Sequence, residues 1–173
     1  MIEHKNSTNV NALPLAFRLI LMNRISNRRT GHRPLTKNLL LPLPLSQTRA
    51  LSLEHHLALA TIGRGYGNVD LLLCLLKAVY VAFYLRDETP EGESDRPFQL
   101  AEAALERCIA RAEQGEKWIM LDKDKVVIER VLLLHDEQLA ATPAHRYIDA
   151  LNKLHRFAIE GLTSPIPALF DME

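Results

Sequence analysis

Histidine and cysteine have the broadest chemistry among the side chains of this sequence. Five histidines follow residue 50: His55, His56, His135, His145 and His155. Zinc sites place His or Cys at fixed spacings such as HExxH, which the Glu54-His55-His56 run does not match. Adjacent helical side chains also point about 100° apart, so these two histidines would not face one ion. The spacing predicts no metal site and indicates histidines on polar helix surfaces.

The two cysteines, Cys74 and Cys108, fall at apolar positions of predicted helices. A thiol buried among leucines stays protonated and unreactive, because burial disfavours the thiolate. Two cysteines without a CxxC spacing are typical of reduced core residues, which favours a cytoplasmic location over a disulfide framework. The sequence also lacks a nucleophile elbow, a paired-carboxylate site and a nucleotide loop after a strand. We therefore predict that the protein is not an enzyme and has no cofactor.

A glycine-rich run, Gly63-Arg64-Gly65-Tyr66-Gly67, precedes an apolar helical segment. Such a loop at a helix N-terminus can bind a phosphate. Here no strand precedes it, the GK[ST] ending is absent, and Asp70 would repel an anion. A turn between two helices, with Gly63 just after the first helix, is the favoured interpretation.

The basic residues are concentrated near the N-terminus. Residues 1–50 carry eight Lys and Arg side chains against one acid, a net charge of +7, and residues 51–173 carry −7. Five of these cations follow one another in the NRISNRRTGHRPLTK run of residues 23–37: Arg24, Arg28, Arg29, Arg33 and Lys37. Runs of like charge are often interaction tails and can neutralise phosphates. We name these five residues as the predicted nucleic-acid-binding set; a solvated arm that binds nothing remains the alternative.

The most apolar segment is Asn68–Arg86, in which every residue from Leu71 to Leu85 except Lys77 is apolar or Tyr. A helix that is apolar on all sides is either a core helix or a membrane span. Fifteen residues extend only about 22 Å, which is short of a bilayer core of about 30 Å. The length therefore predicts a buried central helix, with Asn68 as its N-cap, and no contact with a membrane.

Helical periodicity predicts four further helices around this segment. They cover residues 52–62, 97–114, 122–141 and 143–161. In the first, Leu53, Leu57 and Ala60 share a face that we expect to be buried. The LLLPLPL run of residues 39–45 predicts an extended strap whose leucines lie on the helices. For the last two helices, an antiparallel hairpin is favoured over a helix-turn-helix, because the turn lacks glycine.

These elements predict an all-α fold: a bundle of about five helices with a flexible basic N-terminal arm. The predicted organisation is a disordered arm at residues 1–38, a helical domain at 39–161 and a tail at 162–173. Whether translation starts at Met1 or at Met22 stays open.

The stretch LPLPLSQTRALSLEHHLALATIGRGYGNVDLLLCLLKAVYVAFYLRD, residues 41–87, resembles a group of small proteobacterial proteins of unassigned function. Some of them are carried on mobile elements, and some bear the name Fis family transcriptional regulator. The resemblance covers about a quarter of the chain and implies DNA binding and transcriptional regulation. It implies no particular site residues.

Two functions are therefore expected. The first is a non-enzymatic regulatory or accessory protein that binds nucleic acid through the basic arm. The alternative is a helical protein–protein interaction module that binds a protein partner or a second copy of itself.

Overall fold

Five α-helices make up the fold in a computed structural model that describes residues 36–88, 94–160 and 164–167. The helices are α1 (Leu45–Gly63), α2 (Val69–Tyr84), α3 (Arg96–Glu113), α4 (Asp122–Ala141) and α5 (Ala144–Glu160). These ranges contain no β-strand, so the predicted all-α bundle of about five helices is confirmed. None of the helices in the described ranges is both long enough and apolar enough to cross a membrane.

Helix α2 lies at the centre of the bundle, as the sequence predicts. Ten of its sixteen residues are buried, and it contacts each of the other four helices. Its N-terminus is capped as expected, since the Leu71 amide donates a hydrogen bond of 2.9 Å to Asn68 Oδ1. Leu72, Leu75 and Val79 are fully buried. The apolar run is therefore a core helix covered from several sides.

Helices α3 and α4 are joined by an ion pair that is buried on one side. Asp124 is almost completely buried near the start of α4, and Arg107 of α3 donates to its Oδ1 atom through both Nε and Nη2. A buried carboxylate is costly unless it is paired. Helix α3 turns Phe98, Leu105 and Cys108 into the core, where all three are fully buried.

Helix α1 differs from the prediction in both its start and its buried face. It begins at Leu45 instead of residue 52, because the backbone of Pro44 already has a conformation that suits the residue before a helix. Leu53 and Leu57, which were expected in the core, are 61% and 56% exposed. The buried face instead carries His55, Ala58, Leu59 and Ile62, together with Thr48. The leucine periodicity therefore identified the wrong side of this helix.

The strap before α1 meets the expectation only in part: Leu43 is half-buried and packs against the core, whereas other leucines of the strap face solvent. Leu40, Leu41 and Leu45 are all more than half exposed. His145 Nδ1 donates to the Leu39 carbonyl at 2.9 Å, and the Ala144 amide donates to the Leu41 carbonyl at 2.8 Å. A 3₁₀ helix, Lys37–Leu40, leads into the strap. The predicted domain boundary after residue 38 falls inside this 3₁₀ helix.

The turn between α1 and α2 is a helix connection, as favoured, but a different glycine makes it. Gly63 is still helical, whereas Gly65 has a φ of +79°, a left-handed conformation that glycine adopts without strain. The Tyr66 amide donates to the Thr61 carbonyl, which completes a Schellman-type C-terminus. The structure therefore uses this run to end a helix.

The last two helices do not form the predicted antiparallel hairpin. Helix α5 packs against α2 and against the strap, and it has few contacts with α4. Thr142 and Pro143 turn the chain between α4 and α5. Pro143 lies antiparallel to Pro42 of the strap and forms a single β-bridge with it. The inner face of α5 carries the buried residues Tyr147, Leu154 and Ala158.

The central position of α2 predicts a large difference between two Leu→Ala substitutions. Leu75→Ala should lower the free energy of unfolding by about 2–4 kcal/mol, because it leaves a cavity in the core. Leu53→Ala is the matched control on exposed surface and should change it by less than about 0.5 kcal/mol. Urea denaturation followed by circular dichroism measures both. Equal midpoints for the two variants would contradict the burial of α2.

Candidate functional site

The predicted nucleic-acid-binding residues lie largely outside the described part of the chain. Arg24, Arg28, Arg29 and Arg33 precede residue 36. Lys37 is described: it is exposed at the start of the 3₁₀ helix, which packs against α5. The structure therefore places the end of the basic arm beside α5.

The outer face of α5 carries further cations. Four exposed residues share one side of the helix at i, i+3, i+7 and i+10: Arg146, Asp149, Lys153 and Arg156. Lys153 Nζ lies 5.9 Å from the ring centroid of Tyr84, within the range of a cation–π contact. Three cations stand here against two carboxylates, because Glu160 is exposed one turn after Arg156, so the face carries an excess of one positive charge.

A cavity of about 320 Å³ opens between α1, α2, α4 and α5. Its rim is formed by exposed charged side chains: Glu54, Asp70 and Lys77. Its floor contains two buried imidazoles, His55 and His135. No pattern in the sequence indicated this cavity, because its residues come from four helices.

His55 and His135, which were expected on polar surfaces, are instead packed against each other in the interior. They are 6% and 1% exposed, and their ring centroids lie 5.5 Å apart at an interplanar angle of 35°. Burial lowers the pKa of both rings, that of His135 to about 4. Both imidazoles are therefore neutral at neutral pH.

The hydrogen bonds of Gln138 fix the tautomer of His135. Gln138 Nε2 donates to the Ala82 carbonyl at 3.1 Å, which turns Oε1 toward His135 Nδ1 at 3.3 Å. Because Oε1 only accepts, His135 Nδ1 must carry the proton of the neutral ring. Its Nε2 atom is consequently the hydrogen-bond acceptor.

His55 lacks such a partner. Its Nδ1 atom is buried and makes no hydrogen bond. A buried polar atom left without a partner costs about 1–3 kcal/mol. Protein side chains in the described ranges therefore do not satisfy this ring.

The rim of the cavity is organised around Glu54. Cys74 Sγ lies 3.8 Å from Glu54 Oε1 as a weak donor. Burial, followed by the negative charge of Glu54, raises the pKa of the Cys74 thiol to about 11, so thiolate is scarce at neutral pH. Asp70 and Lys77 lie about one helical turn before and after Cys74, on the same face of α2. In the part of the chain that the structure describes, no three potential metal ligands cluster.

The neighbouring histidine, His56, points to a different place. Its Nε2 atom lies 2.9 Å from Asp136 Oδ2, which joins α1 to α4 at the surface. The two histidines of the Glu54-His55-His56 run therefore diverge, as helical geometry predicted.

Comparison with known proteins adds no family to this description: no family model, curated protein or solved structure matches the chain.

The lowered pKa of His135 predicts a pH-dependent stability. Well above pH 6.5 the ring is neutral in the folded and unfolded chains alike. As the pH falls toward 4, the unfolded chain binds a proton that the folded chain does not, so the free energy of unfolding decreases, by about 3 kcal/mol from this residue. Urea denaturation at several pH values measures this decrease.

The control is His135→Gln, which does not titrate and should show a shallower pH dependence between 6.5 and 4. Burial also lowers the pKa of His55, in the variant as in the wild type, so the difference between the two curves reports on His135. Identical curves would contradict the buried neutral imidazole.

Proposed function

We propose that this chain is a non-enzymatic regulatory or accessory protein, similar to a transcriptional regulator, that binds nucleic acid through its basic arm. The binding residues are those predicted from the sequence: Arg24, Arg28, Arg29, Arg33 and Lys37. The observation that carries the proposal is the segregation of charge, +7 in residues 1–50 against −7 in the remainder. Lys and Arg side chains gathered on one segment are the usual means of neutralising phosphates.

The attachment of the arm to α5 supports this proposal. The strap follows the arm directly and hydrogen bonds to the first turn of α5 through His145 and Ala144. A nucleic acid held by the arm would therefore lie near the exposed cations Lys153 and Arg156. The two free cysteines, Cys74 and Cys108, suit the reducing cytoplasm, where we place the protein.

The salt dependence of binding tests this function. Four arginine–phosphate contacts on duplex DNA give a log–log salt slope of about −3.6, from about −0.9 per phosphate. Replacing Arg24, Arg28, Arg29 and Arg33 by Ala should flatten the slope and weaken binding to every sequence alike, because phosphate contacts carry no sequence information. Fluorescence anisotropy with a labelled duplex at several salt concentrations measures both effects.

A charge-matched variant serves as the control. It replaces four exposed cations of the helical domain by Ala: Arg64, Lys117, Lys123 and Arg130. This variant loses the same net charge and should keep the wild-type slope. Absence of DNA binding at low salt, or equal losses in both variants, would refute the function of the arm.

A second candidate function, the interaction module, is favoured by an exposed apolar face on α1 and α4. These helices run antiparallel, since His56 pairs with Asp136 and Gly63 lies beside Lys125. Leu53 and Ala60 lie one turn before and after His56 on α1. Leu133 and Ala140 lie one turn before and after Asp136 on α4, and all four residues are exposed. We name these four residues the α1/α4 face.

The charges around the α1/α4 face favour a second copy of the chain as its partner. Arg49 of α1 and Arg64 just after it are exposed, as are Glu129 and Glu137 of α4; the exposed charges that break this pattern are Glu54, Lys123 and Arg130. A twofold axis that sets α1 of one copy over α4 of the other would bring opposite charges together, as in an isologous interface.

Sedimentation velocity over a range of protein concentrations tests this second function. The wild-type chain should associate as its concentration rises, and Leu53→Gln/Leu133→Gln should remain monomeric because the apolar contact is lost. Leu40→Gln/Leu41→Gln, on exposed leucines outside the α1/α4 face, should associate like the wild type. A wild-type chain that is monomeric throughout would remove the support for self-association.

A further inference from the structure

We propose that the cavity between α1, α2, α4 and α5 binds a small organic cation, an amine or an amidine, whose N–H groups donate to His135 Nε2 and to the Glu54 carboxylate. This site is independent of the basic arm and of the α1/α4 face. The cavity measures about 320 Å³, which is at the small end of ligand pockets.

The floor of the cavity requires a hydrogen-bond donor. Because His135 Nδ1–H donates a hydrogen bond to Gln138 Oε1, the other ring nitrogen, Nε2, has a free lone pair. His55 beside it is 94% buried, and its Nδ1 has no partner in the protein. A neutral imidazole always keeps one acceptor nitrogen, and in His135 this is Nε2, which can accept from a ligand rich in N–H groups.

The rim of the cavity favours a positive charge. Glu54 and Asp70 place two carboxylates there against the single ammonium of Lys77. Glu54 lies opposite Cys74, and Asp70 and Lys77 follow on either side along α2, so a cation can sit on the Glu54–Asp70 side, away from Lys77. The Cys74 thiol donates only weakly to Glu54 Oε1, so the carboxylate keeps lone pairs for a ligand.

The walls between rim and floor are apolar. These walls are formed by the side chains of Leu51, Leu73 and Val81, of which Leu73 and Val81 are buried. A ligand with a short branched hydrocarbon body and one cationic nitrogen matches this combination of apolar walls and converging acceptors. A carboxylate or phosphate would instead meet two carboxylates and an imidazole acceptor.

Three probes with one carbon skeleton test the charge preference: 3-methylbutylamine, 3-methylbutanol and 3-methylbutanoate, which are cationic, neutral and anionic at neutral pH. Each is titrated into the full-length protein while the imidazole ¹⁵N resonances of His55 and His135 are followed by NMR. The amine should shift both sets of resonances with saturation, and it should bind at least about tenfold more tightly than the other two.

Two isosteric variants test the position of the charge. Glu54→Gln keeps the shape of the rim and should weaken amine binding by about tenfold, as expected when one charge-assisted hydrogen bond is lost. Glu129→Gln removes an exposed carboxylate of α4 outside the cavity and should bind the amine like the wild type. Circular dichroism verifies that both variants fold.

Several results would overturn the proposal. They are the absence of saturable shifts with the amine, equal binding of the three probes, tighter binding of the carboxylate, and amine binding that is unchanged in Glu54→Gln. Equal weakening in Glu54→Gln and Glu129→Gln would also overturn it, because it would show a general response to net charge.

Discussion

The whole arrangement depends on one constraint: α2 is apolar on nearly every side and must be covered by protein. Four helices and the contacts between them supply the cover. Polar groups on α2 are correspondingly few, and the buried Tyr80 hydroxyl donates to Glu102 Oε1 at 2.6 Å. Burial and this carboxylate raise the pKa of Tyr80. The one line of α2 left uncovered runs through Asp70, Cys74 and Lys77. The cavity is the space beside that line, so its position follows from incomplete cover of the central helix.

Much of the helical framework could be predicted from the sequence, and α1 shows where the prediction failed. In α2, α3 and α5 the apolar residues lie on the side that packs, so periodicity identified the correct face. In α1 two patterns compete. One is the pair of exposed leucines, Leu53 and Leu57, and the other is a buried series in which His55 is followed by Ala58, Leu59 and Ile62. A buried neutral histidine does not count as apolar in a hydrophobicity pattern. The prediction therefore followed the leucines to the wrong face.

The cavity itself could not have been predicted from spacing. His55 and His135 are separated by 80 residues, and their contact depends on the antiparallel packing of α1 and α4. The tautomer of His135 further depends on Gln138 and on a backbone carbonyl of α2. These contacts form only when the helices pack together, so no spacing within the sequence reveals them. The charge of the arm, in contrast, could be read directly from composition, because it depends on no fold.

Helix α5 serves three parts of the structure at once. Its inner face packs on α2 and supplies Tyr147 to the cavity, its outer face carries cations, and its first turn holds the strap. This last contact has a consequence for synthesis on the ribosome. His145 and Leu39 are 106 positions apart in sequence, and pairings at such separation form late because the intervening loop must first be ordered. The chain emerges N-terminus first, so the strap has no partner until α5 has been made. The attachment site of the basic arm is therefore among the last parts of the protein to be completed.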